Sequence, residues 1–265
     1  MNPNLSLSAC IRVHLWSMFR GFCCFMLLPA SVCLASAAPM TFQSSETQTS
    51  LLELYTSEGC SSCPPAEKWF SNLKTSSGLW KDFVPVAFHV DYWNYLGWRD
   101  PWSTKAFTER QHAYARAWRN DSVYTPGFVL NGREWRNWSR SQSVPVSTAK
   151  PGVLRVTSTD LKNWDVTFTP TVPYADDTYE AHAALLASGL ASDVKAGENK
   201  GRRLEHDFVV TWMKPTLLKS EGNKAQGRFE LELPNVDRPK SNALAVLLTR
   251  SRQLEPLQAT GGWLP

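Results

Sequence analysis

Beyond its first 37 residues the chain has no long apolar run, no marked excess of charge of either sign, and almost no cysteine. The missing run leaves nothing of the roughly 20 apolar residues that a membrane-spanning helix needs. Setting aside Arg12 and Arg20 leaves 26 basic residues against 24 acidic, a balance that speaks against a broad basic surface for nucleic acid. Of six cysteines, Cys10, Cys23, Cys24 and Cys33 lie in the first 37 residues, so only Cys60 and Cys63 remain. Two cysteines in about 228 residues do not make a disulfide-stapled scaffold. What is plentiful is apolar and aromatic surface, 43% and 12% of 265 residues. That is enough for a sizeable core, and the length suggests two domains of ordinary size.

The first 37 residues carry Arg12, His14 and Arg20, then the apolar run Gly21 to Leu28, then small residues ending in Ala35-Ser36-Ala37. This is the order of a secretory signal peptide, with cleavage expected before Ala38. Pro29 interrupts the run and argues against an uncleaved anchor, and Val32 is bulky for a lipid-anchored Cys33. The expectation is a secreted, periplasmic protein with no stable membrane span after cleavage. Residues 38–49 are polar and rich in Ser and Thr, and read as a flexible leader.

Order is expected from Ser50. Leu51 to Tyr55 reads as a buried strand stopped by the turn-forming Thr56-Ser57-Glu58-Gly59. After Cys60-Ser61-Ser62-Cys63-Pro64-Pro65, the spacing of Ala66, Trp69, Phe70 and Leu73 predicts a helix. Val84 to Val90 is a second apolar strand, and a crossover of this length implies parallel pairing. Asp100-Pro101 has the form of an N-cap and first helical residue, opening a helix to about Arg119. Tyr124-Thr125-Pro126 then precedes a strand at Gly127 to Leu130, which Asn131-Gly132 turns into a hairpin. A polar, proline-dotted stretch from Ser139 to Gly152 reads as a linker. Beyond it the apolar period changes to two, in short segments separated by turns, as in an antiparallel sandwich or barrel.

The Cys60-x-x-Cys63 pair sits between a buried strand and a helix. A thiol at such a turn lies near helix N–H groups and the positive end of the helix dipole, both of which favour thiolate. A second thiol three residues on can resolve a mixed disulfide, so the spacing suits dithiol exchange. Thr125-Pro126, placed after a helix and before an apolar strand some 60 residues downstream, strengthens that reading.

With this order of elements the chain resembles the thioredoxin-like superfamily over about residues 50–140. More narrowly, LYTSEGCSSCPPAE, HVDYWNYLGWRDPW and YTPGFVLNG, with GENKGRR at 197–203, resemble an uncharacterised family of secreted bacterial proteins built on that fold. The resemblance implies that Cys60 is the attacking thiol, Cys63 the resolving one, and Pro126, following Thr125, a cis proline beside them. Two departures stand out. Thioredoxins carry a buried acid six positions ahead of the first cysteine, where this chain has Leu54, while Glu53 should face the other side of the sheet. Pro64-Pro65 sets the helix start at Pro64, which would put Cys63 rather than Cys60 at the cap.

Two other readings of the pair stay open. A closed disulfide here would span a four-residue loop, gaining only about 2 kcal/mol against about 4.7 for a loop of 100 residues. Two thiols could also hold copper or zinc with His89, His112 or Met40, although no His or Cys lies at a recognised spacing. His89 reads as a structural strand histidine more readily than as a catalytic one, and Asp91 either caps the following turn or stands at the strand end where ligands gather in parallel folds. Tyr92, Trp93, Tyr95, Trp98 and Trp102 form either a recognition surface or a cover for the inserted helix. Glu58 either shuttles a proton or solvates its loop, and the Gly197–Gly201 stretch lacks the strand-to-helix context of a phosphate loop.

The sequence thus predicts an α/β protein with a signal peptide at 1–37, a leader at 38–49, a thioredoxin-like domain at 50–145 and a β-rich, sandwich-like domain at 150–265. Cys60, Cys63, Thr125 and Pro126 are the expected catalytic residues. No cofactor, bound metal or nucleic acid is expected, the partners being thiols or disulfides of exported proteins. The alternative is a non-enzymatic binding module with a structural disulfide.

Overall fold

The computed structural model describes residues 38–172, 178–231 and 241–265. The expected signal peptide lies outside the described residues. In chain order the elements are β1 Met40–Gln43, β2 Ser50–Thr56, α1 Pro64–Asn72, β3 Phe83–His89, α2 Lys105–Ala117, β4 Gly127–Leu130, β5 Arg133–Glu134, β6 Gly152–Ser158, β7 Asn163–Pro170, β8 Tyr179–Ser188, β9 Leu190–Asp193, β10 Arg203–His206, β11 Val209–Glu221, β12 Lys224–Glu230, β13 Ser241–Arg250 and β14 Pro256–Trp263. The protein is mostly β, dominated by a 12-stranded mixed sheet, with β9 and β10 forming a separate hairpin.

Strand β2 is buried at every residue because both of its edges are paired and both of its faces are covered. It runs parallel to β3 and antiparallel to β4. Glu53 and Tyr55 point to α2, meeting Arg110 and Tyr114, while Leu54 and Thr56 point to Glu67 and Phe70 of α1. Helix α1 begins at Pro64, as the proline pair predicts, with Cys63 as its N-cap. Helix α2 differs from expectation. Thr104 caps it, its hydroxyl accepting from the Phe107 N–H, while Asp100 is buried and spent on other partners. The sequence Asp-Pro imitates a helix start, but Asp100 is held where a buried carboxylate finds stronger donors.

The two halves of the chain meet in the sheet. Val209 of β11 pairs with Ala87 of β3, and β11 then runs on beside β8 and finally beside β12. Alternation along β8 and β13 feeds two cores. Ala184, Leu186, Ala243, Ala245 and Leu247 join the core of β2, β3 and α1, whereas Ala183, Leu185, Leu244, Val246 and Leu248 join Trp164, Phe168 and Phe229 from the facing strands. Residues Ala37–Pro265 cluster as one compact unit. The expected flexible leader at 38–49 instead contains β1, which pairs antiparallel with β6. Its polar composition hides the strand, because only Met40 and Phe42 pack inward. Among the described residues no helix is long and apolar enough to cross a membrane.

Candidate active site at the Cys60–Cys63 turn

Strand β2 ends at Thr56, and residues 57–63 turn the chain into α1. Cys60 and Cys63 are both thiols, and the Cys63 N–H donates to the Cys60 carbonyl at 3.2 Å. The Thr125–Pro126 peptide bond is cis. The Thr125 carbonyl lies 3.7 Å from Cys60 Sγ and 3.4 Å from Ser62 Oγ, and Ser62 Oγ is 3.2 Å from Cys60 Sγ. Cys60, Cys63, Thr125 and Pro126 are therefore neighbours, although 65 residues separate Cys60 from Thr125.

The two thiols are electrically unequal. Hydrogen bonding from Cys63 lowers Cys60 to about 6, against the opposing effect of burial and with help from Ser62 and Thr125. Burial pushes Cys63 well above the ordinary thiol value, and the neighbouring Cys60 adds to it. An attacking thiol wants the first environment; a thiol kept in reserve is compatible with the second.

Access is the constraint. Cys60 is only 1% exposed and Cys63 is fully buried. The turn joining β9 to β10 lies over the cysteine loop. There Asn199 Nδ2 donates to the carbonyls of Glu58 and Cys60, both at 2.9 Å, and Glu198 accepts from the Ser61 N–H at 2.9 Å. On another side Trp93 donates to Thr125 Oγ1 at 2.8 Å and Trp98 to Glu58 at 2.6 Å. Gly59 is required here, since a Cβ at this position would sit 2.7 Å from Trp93 Cβ. Of the aromatic group, Tyr95 is freely exposed, while Tyr92, Trp93 and Trp98 are tied by hydrogen bonds around the site.

Behind Cys63 lies a buried polar cluster. The Thr56 hydroxyl is within hydrogen-bonding reach of Cys63 and donates to Glu67. His206 bridges Glu67 through Nδ1 and Glu58 through Nε2, each at 2.9 Å. His89 Nδ1 lies 2.7 Å from Asp100, and the two imidazoles meet edge to face at 5.0 Å. Burial opposes a charge on His206, but Glu67 and Glu58 outweigh it and raise the imidazole to about 10. Glu67 is held low despite burial, chiefly by the charge on His206.

A family profile described as "Protein of unknown function (DUF1223)" matches residues 51–249. The chain belongs to this family. The DUF1223 match spans the cysteine turn, the buried cluster, Thr125-Pro126 and the covering turn at 198–199. Among solved structures, a crystal structure of a protein from Agrobacterium tumefaciens is similar at 24% identity, with 83% of this chain and 95% of that one covered and a TM-score of 0.56. HBP35 of Porphyromonas gingivalis is similar at 13% identity, with 83% and 76% covered and a TM-score of 0.57. At these identities the likeness is one of fold. No curated protein matches the chain.

Several site residues escape sequence reasoning. Asn199 and Glu198 lie in a glycine-containing turn whose only signal is the GENKGRR resemblance, and no spacing ties that turn to Cys60. Glu67 is hidden as an ordinary helix acid, His206 ends a short strand, and Asp100 imitates a cap. The metal alternative also changes. Met40 packs on the second core, and among the described residues the group suited to a cation is Glu67, His89 and His206, without either thiol.

Proposed function

We propose that this is a secreted, periplasmic protein whose residues 50–145 form a thioredoxin-like unit, and that Cys60 and Cys63 exchange electrons with disulfides or thiols of exported proteins. Cys60 thiolate would attack a partner disulfide, forming a Cys60–partner disulfide and releasing one partner thiolate. Cys63, after losing its proton, would attack Cys60 Sγ, closing the Cys60–Cys63 disulfide and releasing the second partner thiolate. The chain is oxidised by two electrons and the partner reduced by two; the reverse sequence runs the other way. The observation that carries this reading is the contact of Cys60 Sγ with both Ser62 Oγ and the carbonyl of Thr125 at the mouth of α1. Parallel β2 and β3 around α1, with antiparallel β4 after the cis Thr125–Pro126 bond, support the thioredoxin-like assignment.

The burial of Cys60 favours a second reading, a binding module in which the pair is a passive closed bridge. Equilibration with glutathione buffers separates the two. A reduction potential between about −120 and −270 mV belongs to exchange, and one well below about −300 mV to a structural bridge.

A further inference from the structure

Buried histidines and carboxylates from five separate segments converge behind the cysteine turn, and their pairing is directional. One ligand atom from each of Glu67, His89 and His206 lies within 4.8 Å of the others, and all three residues are buried. Each imidazole also has one nitrogen engaged by a further carboxylate, Asp100 on His89 Nδ1 at 2.7 Å and Glu58 on His206 Nε2 at 2.9 Å. Carboxylates in this outer position fix the tautomer of a metal-binding histidine and raise the basicity of its other nitrogen. The remaining nitrogen of His206, Nδ1, is the one that meets Glu67.

We infer that Glu67, His89 and His206 form a site for a first-row divalent cation of the zinc type, with Asp100 and Glu58 orienting the two imidazoles. Two nitrogens and one carboxylate oxygen suit such an ion. In a tetrahedral zinc site ligand atoms stand about 3.3 Å apart, so small side-chain rotations would close the observed spread. Charge points the same way: three carboxylates share this interior with two imidazoles, and uncompensated buried negative charge is costly. Glu67, His89 and His206 line a cavity of about 10 Å³, close to the smallest that admits one water-sized particle. Access is at hand, because Glu67 and Asp207 also line an open cleft between α1 and β10. The competing occupant is a proton held between His206 and Glu67, which a cation would displace. The ligands come from α1, β3 and β10, which explains why no sequence spacing announces them.

The test uses the chain without its first 37 residues and with Cys60→Ser and Cys63→Ser together, so that thiols cannot bind the probe. Zinc titration followed calorimetrically, metal analysis after desalting, and the visible spectrum of the cobalt-loaded protein report on the site. One equivalent of zinc, a rise in Tm with added zinc, and a cobalt spectrum free of thiolate charge transfer are expected. Asp100→Asn should weaken affinity by about 10- to 100-fold, and His206→Gln should abolish binding. Zinc that binds only when the cysteines are present, or a Tm that zinc does not move, would overturn the inference and leave a proton-bridged core cluster. The zinc-dependent Tm requires no cluster variant, so a misfolded His206→Gln protein would not blunt the test.

Discussion

Asn199 reaches back across 139 residues to donate its side-chain N–H to the carbonyl of Cys60 at 2.9 Å. The same amide nitrogen donates to Glu58, and Arg202 steadies the amide oxygen at 2.8 Å. The β9–β10 turn is thereby latched onto the loop that carries the thiols.

Removing the latch should expose the thiol. A typical hydrogen bond contributes about 0.5–1.5 kcal/mol net, so losing two should raise the open population about 5- to 150-fold. Asn199→Ala is therefore expected to speed alkylation of Cys60 by that factor, measured with iodoacetamide and mass spectrometry. An unchanged rate would mean that something other than this turn limits access.

The pH dependence of Cys60 follows from its depressed pKa. Its alkylation should reach half its maximal rate near pH 6, about 2.5 units below a free thiol, with Cys63 unreactive over the same range. The sign for stability is that of a group lowered on folding. The contribution is fully present above the unfolded thiol value and is lost as pH falls through about 6. The stability advantage of the reduced protein over Cys60→Ser should accordingly shrink between pH 9 and pH 6 in urea titrations.

The buried acid of β2 has a structural task away from the thiols. Arg110 donates to both oxygens of Glu53, at 2.8 and 3.1 Å, and the Tyr55 and Tyr114 hydroxyls donate at 2.9 and 2.5 Å. Glu53→Gln or Arg110→Met alone leaves a buried charge without its partner and should cost about 3–5 kcal/mol. In a double-mutant cycle the pair together should cost clearly less than the sum. Additive losses would show that the ion pair does not dock α2.

Gly59 and Trp93 meet too closely for any side chain at residue 59. Gly59→Ala should destabilise by about 1–3 kcal/mol through overpacking and displace Trp93 from Thr125, read as a shift in tryptophan fluorescence. A silent substitution would mean that the cysteine loop is looser than its contacts imply.

The sequence shows those parts of the fold that local chemistry dictates. Apolar runs announce β2 and β3, the proline pair announces the start of α1 at Pro64, and Asn131-Gly132 announces the β4–β5 turn. Alternation announces β6 and β7. It fails where tertiary partners decide. Strand β1 is polar on one edge and gains its order from β6, and Asp100 obeys His89 and the Glu58 N–H rather than the helix beside it. The site divides along the same line. Cys60, Cys63, Thr125 and Pro126 can be named from motif and order, whereas Asn199, Glu67 and His206 reach the turn through long-range packing that no spacing encodes.

Capture of a mixed disulfide bears most directly on exchange chemistry. The Cys63→Ser protein, incubated at pH 7 with an oxidised peptide disulfide under native conditions, should retain one peptide on Cys60 by intact mass, and Cys60→Ser should retain none. A Cys63→Ser protein that captures peptide only after denaturation would contradict exchange and leave the pair as part of a passive scaffold.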